Sequence, residues 1–98
     1  MALTAELQTL EALYNTLKNN VTNAHEIRSS TDRDLGAAVW ETPNATAFRS
    51  AWDQFRPHLQ QFEATLAAAA TDVANNHNNN ATVNGVHDAP VLSTVAPI

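Results

Sequence analysis

Two runs of apolar residues at alternating steps of four and three constrain the fold of this chain more than any other feature. Such steps keep the apolar side chains on one face of an α-helix, in the repeat of helices that pack along their length. The sequence therefore predicts an all-α protein with two long amphipathic helices. The first run is Leu3, Leu7, Leu10, Tyr14, Leu17, Val21 and Ala24, and the second is Phe48, Trp52, Phe55, Leu59, Phe62, Leu66, Ala69 and Val73.

The residues between the two runs predict a turn, so the helices should form an antiparallel hairpin over about residues 1–76. Gly36 is a natural end for the first helix, because glycine tolerates the left-handed conformation found there. Thr42 is predicted to cap the second helix, and Pro43 suits its first position, where a missing N–H costs nothing. The predicted boundaries are a helix over about 4–34, a turn over about 35–42 and a helix over about 43–76.

A tail over residues 77–98 is predicted to be flexible. Six asparagines from Asn75 to Asn84 compete with helical hydrogen bonding, and Pro90 and Pro97 follow. This segment has no helical period, and its few apolar residues predict no core element.

Composition and charge exclude several classes of partner. The formal net charge is −5, and the five Lys and Arg residues are scattered, which argues against nucleic-acid binding. No segment has the roughly 18 consecutive apolar residues of a transmembrane helix. The beginning, MALTAELQTLEALY, lacks the basic start and apolar run of a secretory signal, so no cleaved leader is expected.

The sequence predicts no enzyme and no cofactor. It contains no cysteine, and its histidines are not placed in a nucleophile motif. His77, His87 and Asp88 lie close together in the chain, but their spacing matches no zinc pattern. We interpret them as solvated side chains of the tail, and no metal site is predicted.

Aromatic residues of the second run are the candidate binding surface. Phe48, Trp52, Phe55 and Phe62 follow a heptad-like spacing, which is more typical of a helical core than of a ligand box. The stripe is also too wide for a single facing helix, which predicts an interface with a second chain. The predicted core and partner-interface residues are Leu7, Leu10, Tyr14, Leu17, Val21, Phe48, Trp52, Phe55, Leu59, Phe62 and Leu66.

The region of the bend resembles the WXG superfamily of small type VII secretion substrates. Trp40 matches the tryptophan at the bend of that family, and Ala45, Phe48 and Trp52 match the Ala-x-x-Phe-x-x-x-Trp start of its second helix. Leu59 and Leu66 continue the leucine pattern of the family, and the resemblance covers roughly residues 3–76.

Two departures from the family pattern are visible. The turn motif is Trp40, Glu41, Thr42 and Pro43, so the family's glycine is replaced by Thr42. The secretion motif Tyr-x-x-x-Asp or Glu after the second helix is absent, since the one tyrosine is Tyr14. The resemblance then implies that the recognition signal lies on a partner protein.

The resemblance implies a dimeric, non-enzymatic protein that is exported from the cytoplasm without a cleaved signal peptide. Its expected partners are a second copy or a homologue, paired into a four-helix bundle, and the ATPase of the secretion machine. The alternative that the sequence leaves open is an intracellular helical adaptor or chaperone that binds a partner helix.

Overall fold

Two helices account for the fold in a computed structural model that describes residues 2–98, with side chains from residue 5 onward. Helix α1 spans Ala2–Ala37 and helix α2 spans Pro43–Val83. They run in opposite directions, since Trp52 near the start of α2 contacts Asp32, and His77 near its end contacts Glu11. The prediction of an all-α helical hairpin is confirmed.

The hairpin is long and narrow, with principal dimensions of 62 × 19 × 17 Å. Its radius of gyration is 19.0 Å, compared with about 13 Å for a compact domain of this length. Helix α2 remains one helix through Pro57. No helix within residues 2–98 combines the length and the apolar character that crossing a membrane requires.

The turn is built by a capped helix start, as predicted. Thr42 is extended, with φ −131° and ψ 165°, and its hydroxyl accepts a hydrogen bond of 3.1 Å from the Ala45 amide. Pro43 is the first residue of α2. The prediction for Gly36 is wrong, because it lies inside α1 and its φ is not positive. Gly85, which follows the C-cap residue Asn84 of α2, has a φ of 68° and takes the left-handed conformation.

The core is a single row of side chains between the helices. At the bend end, Trp52 packs with Ala24 and Leu59. At the other end, Tyr14 packs against Ala70 and Ala74, whose small side chains leave room for the phenol ring. Of the predicted core residues, the structure buries Leu7, Tyr14, Val21, Trp52 and Leu59, and it half-buries Leu10, Leu17 and Leu66. The side chain of Leu3 lies outside the described part of the chain.

Helix α2 continues through the asparagine-rich segment, seven residues beyond the predicted boundary at 76. His77 and Ala81 are buried on its inner side, which supplies packing that the local composition does not indicate. Residues 86–98 then follow a defined path back along the hairpin, where the sequence predicted a flexible tail. Hydrogen bonds from the side chains of Asn78 and Thr71 hold this path.

Candidate protein interaction site

Three phenylalanines of α2 form an exposed row along one side of the hairpin. Phe48, Phe55 and Phe62 are 43%, 51% and 55% exposed, respectively, although a phenylalanine at heptad spacing is usually buried. They lie seven residues apart, so each sits about two helical turns beyond the last. We call Phe48, Phe55 and Phe62, together with the exposed Ile27 of α1, the aromatic face.

Three of the four members of the aromatic stripe therefore lie outside the core of the single hairpin, and their assignment to a partner interface stays a prediction. Trp52 occupies the central position that faces α1 and is only 8% exposed. The three phenylalanines lie on α2 beside the row that contains Trp52. Because α1 is a single helix, it covers only that central row. The spacing of the apolar residues predicts which face of α2 is turned towards α1. The width of α1 decides which residues on that face are buried.

Shallow depressions connect the aromatic face with α1. Phe62 and Ile27 line one of them, together with Ala24, Leu59 and two asparagine side chains. Phe48 lines a second depression near the bend, beside Thr31 and Leu35. The first depression is lined without a charged residue, and the second includes one, Asp34. Apart from Asp34, the residues that line these two depressions are apolar or neutral polar.

The bend end of the face is fixed by Trp40 and Arg49. Trp40 packs against Phe48 with ring centroids 6.0 Å apart, and the Arg49 guanidinium lies 5.9 Å from the Trp40 ring centroid. Arg49 also donates hydrogen bonds to the carbonyls of Leu35, Ala38 and Trp40, at 3.4, 3.4 and 2.8 Å.

The sequence alone did not predict a role for Arg49 at the turn, although helix ends in general require such a donor. The last carbonyls of an α-helix have no partner within the helix, so a donor has to come from elsewhere. Arg49 supplies a donor to the Leu35 carbonyl in the last turn of α1 and to two carbonyls of the turn that follows, which has no left-handed glycine. The other turn residues, Glu41, Thr42 and Pro43, are exposed.

A polar contact anchors Trp52 beneath the aromatic face. Its indole Nε1 donates a hydrogen bond of 2.7 Å to Asp32 Oδ1. Asp32 Oδ2 lies 3.2 Å from Arg56 Nε, an ion pair in which the N–H is not aimed at the oxygen. The carboxylate thus fixes the indole orientation and is itself balanced by a cation.

Glu63 is a buried carboxylate at the middle of the hairpin. It is 2% exposed, and its Oε2 accepts a hydrogen bond of 3.2 Å from Arg28 Nη2. The same nitrogen donates to His25 Nδ1 at 3.2 Å. Glu63 Oε1 accepts from the Ile98 amide at 2.7 Å, so this side chain joins both helices to the end of the tail.

His77 is fully buried, and its interpretation as a solvated tail residue is wrong. Nε2 lies 2.9 Å from Glu11 Oε2, and Nδ1 lies 3.0 Å from Asn78 Oδ1. Each ring nitrogen therefore has a polar oxygen within hydrogen-bond distance. The α1 carboxylate that holds His77 is 66 residues away in sequence, which is why local spacing did not reveal the contact.

The polar contacts described above join the two helices and the tail to one another. Within residues 2–98, no group of three His, Asp or Glu side chains is close enough together to hold a metal ion. A hydrogen bond from Arg33 to Asp34 raises the pKa of the Arg33 guanidinium above its usual value, at a fully exposed site. The largest exposed apolar side chains of α2 are those of the aromatic face.

Comparison with known proteins gives no relative of this chain: no protein-family profile, no curated protein and no solved structure matches it.

Proposed function

We propose that this protein is a small dimeric helical hairpin that associates through its aromatic face and acts as a substrate, effector or co-secretion partner of a type VII secretion system. The row of exposed phenylalanines along the hairpin carries the association part of this proposal. The secretion part is supported by the resemblance of Trp40, Ala45, Phe48 and Trp52 to the WXG pattern.

The surface area of the chain supports an association of this kind. The accessible surface is 6535 Å², whereas a compact monomer of 10.6 kDa is expected to expose about 5,500 Å². The excess of about 1,000 Å² is comparable with the roughly 800 Å² that each partner buries in a standard interface. A second hairpin laid along the aromatic face would cover a surface of that size.

The charge distribution explains how two acidic chains can meet. The chain carries a formal net charge of −5, so two copies repel one another at long range. The depression around Ile27 and Phe62 is lined without charge, which lets apolar contact form there without burying a carboxylate. A second copy or a hairpin of similar architecture fits this face.

Size-exclusion chromatography with light scattering tests the association. The wild-type chain, alone or mixed with the product of an adjacent gene, is expected to elute as a two-chain complex. Phe55→Glu should weaken the complex at least about 30-fold, because loss of a central aromatic contact costs about 2 kcal/mol or more. Its helical circular dichroism should be unchanged, since Phe55 is outside the core.

Val83→Glu is the matched control, because Val83 is 82% exposed at the far end of α2, away from the aromatic face. It introduces the same charge and should leave the complex intact. A wild-type chain that stays monomeric both alone and in the mixture, or equal weakening by both variants, contradicts the proposed interface.

Export is tested in the native host by measuring the protein in the culture supernatant with and without the secretion ATPase. Dependence on the ATPase is the expected result. Accumulation in the cell fraction while the secretion system is active would instead support the alternative, an intracellular adaptor or chaperone that binds a partner helix. The missing Tyr-x-x-x-Asp or Glu motif favours that alternative.

A further inference from the structure

The C-terminal tail, residues 86–98, contacts the hairpin with a period of three residues. Val86, Ala89, Leu92 and Val95 are half-buried, and the residues between them are exposed. Leu92 and Val95 pack against the core cluster around Tyr14. The tail contains neither helix nor strand, and a three-residue period is that of an extended polyproline II chain.

The repeat of the tail matches the repeat of α2. Three residues of a polyproline II chain advance about 9.3 Å, and seven residues of an α-helix advance about 10.5 Å. The contacts follow this correspondence, since Leu92 bonds to Asn78, and Val95, three residues later, bonds to Thr71, seven residues earlier. An extended chain can therefore place an apolar side chain between the helices at each heptad.

Side chains of the hairpin bind the backbone of the tail at both of these positions. Asn78 accepts from the Leu92 amide at 3.0 Å and donates to the Leu92 carbonyl at 2.8 Å. The Thr71 hydroxyl makes the same pair of contacts with Val95, at 2.8 and 3.0 Å. The Tyr14 hydroxyl donates to the Ser93 carbonyl at 2.8 Å. Backbone recognition combined with spaced apolar positions is how proteins bind extended peptides.

This groove is separate from the aromatic face. The end of the tail lies beside Val21 and Thr22 of α1, whereas the depression under Phe62 is lined by Asn20. Thr22 and Asn20 are two residues apart, which places them about 160° from one another around the helix. The tail and a partner on the aromatic face therefore occupy different sides of the hairpin.

We propose that the groove beside Tyr14, Thr71 and Asn78 is a peptide-binding site that its own tail occupies, and that it binds the tail of a second copy when its own tail is displaced. The ligand class is an extended segment with an apolar residue at every third position. In the wild-type chain the linked tail competes at an effective concentration of about millimolar, so added peptide binds weakly.

Peptide binding to a tail-released chain tests this proposal. The full-length variant Leu92→Ser/Val95→Ser loses both apolar anchors, and the probe is a fluorescent peptide of residues 86–98. Anisotropy should show binding to this variant at least tenfold tighter than to the wild-type chain. A peptide with the same two substitutions should not bind. A variant that remains helical but binds neither peptide, or binds both equally, overturns the proposal.

The role of Asn78 is tested in the same background. Asn78→Ala should weaken binding of the peptide about tenfold, since it removes two backbone contacts. Asn79→Ala is the control, because Asn79 is the exposed neighbour of the same type. Equal effects of the two substitutions count against the site. Phe55→Glu should leave peptide binding unchanged, so failure here is distinguishable from failure of the proposed dimer.

If the double variant does not fold, hydrogen exchange of the backbone amides in the native tail tests the proposal. In the otherwise wild-type chain, Asn78→Ala should speed exchange at the Leu92 amide about tenfold, and Asn79→Ala should not. Excess unlabelled peptide of residues 86–98 should speed exchange at Leu92 and Val95 of the isotope-labelled wild-type protein by displacing its tail. Unchanged exchange in these experiments overturns the proposal.

Discussion

Replacement of Trp52 by alanine tests whether the single row of core residues stabilises the hairpin. Trp52 is 8% exposed and packs against Ala24 and Leu59, with Leu35 at the edge of the cluster. Helix α1 contributes a single row of side chains at this position. The hairpin has no second layer of side chains that could move into the space left by the indole, so the substitution should leave a cavity.

The expected loss is about 3–5 kcal/mol, the range for truncating a buried tryptophan. About 1 kcal/mol of that loss comes from the hydrogen bond between the indole and Asp32. Asp32 is partly exposed and keeps Arg56 within 3.2 Å, so its carboxylate is not left without a cation. A domain of this length is stabilised by about 5–15 kcal/mol, so the substitution should remove a large part of the total.

Urea unfolding followed by circular dichroism at 222 nm, at one fixed protein concentration, measures this loss. Phe55→Ala is the comparison, because Phe55 is three residues away in the same helix but 51% exposed. At low protein concentration it should cost less than about 1 kcal/mol. A loss below about 1 kcal/mol for Trp52→Ala, or one no larger than that of Phe55→Ala, refutes the assignment of Trp52 to the core.

Two further substitutions test the polar contacts of the hairpin by the same unfolding measurement. Arg28→Met leaves the Glu63 carboxylate buried without its cation and should cost about 3–5 kcal/mol. Adding Glu63→Leu to the same chain should restore part of this stability. No recovery in the double variant would show that Arg28 acts through packing. Arg49→Met removes the donor to the Leu35 carbonyl in the last turn of α1 and to the Ala38 and Trp40 carbonyls of the turn, and should cost about 1–2 kcal/mol. Arg33→Met, at an exposed site, should change stability by less than about 0.5 kcal/mol, and an equal effect of the two arginine variants contradicts the capping role of Arg49.

Features of the fold that depend on local sequence could be predicted. The steps of four and three identify both helices because side chains at those spacings share a face whatever the partner is. Thr42 and Pro43 identify the start of α2 because the cap bond to the Ala45 amide joins residues three apart. In each case the interacting groups are neighbours in the chain, so their spacing is sufficient evidence.

Features that depend on distant residues could not be predicted in this way. The burial of His77 depends on Glu11, and the path of the tail depends on Tyr14, Thr71 and Asn78. The composition of the asparagine-rich segment favours exposed structure, and only the contact with α1 reverses that preference. The three-residue period of the tail is present in the sequence, but it leads to an ordered path only because distant residues of both helices form a groove with a matching repeat.

The two sides of the hairpin differ in a way that bears on how the protein assembles. A helical pair has a groove on each side, and a hairpin with both grooves open could bind a neighbour on each and continue into a fibre. Here the tail fills one groove through six hydrogen bonds, and the aromatic face remains open on the other. A single open face that pairs with its equivalent closes after two chains. The proposed peptide groove and the proposed dimer thus fit one arrangement, in which the tail limits association to the aromatic face. This division of roles fails if either Phe55→Glu or the tail-released variant assembles as the wild-type chain does.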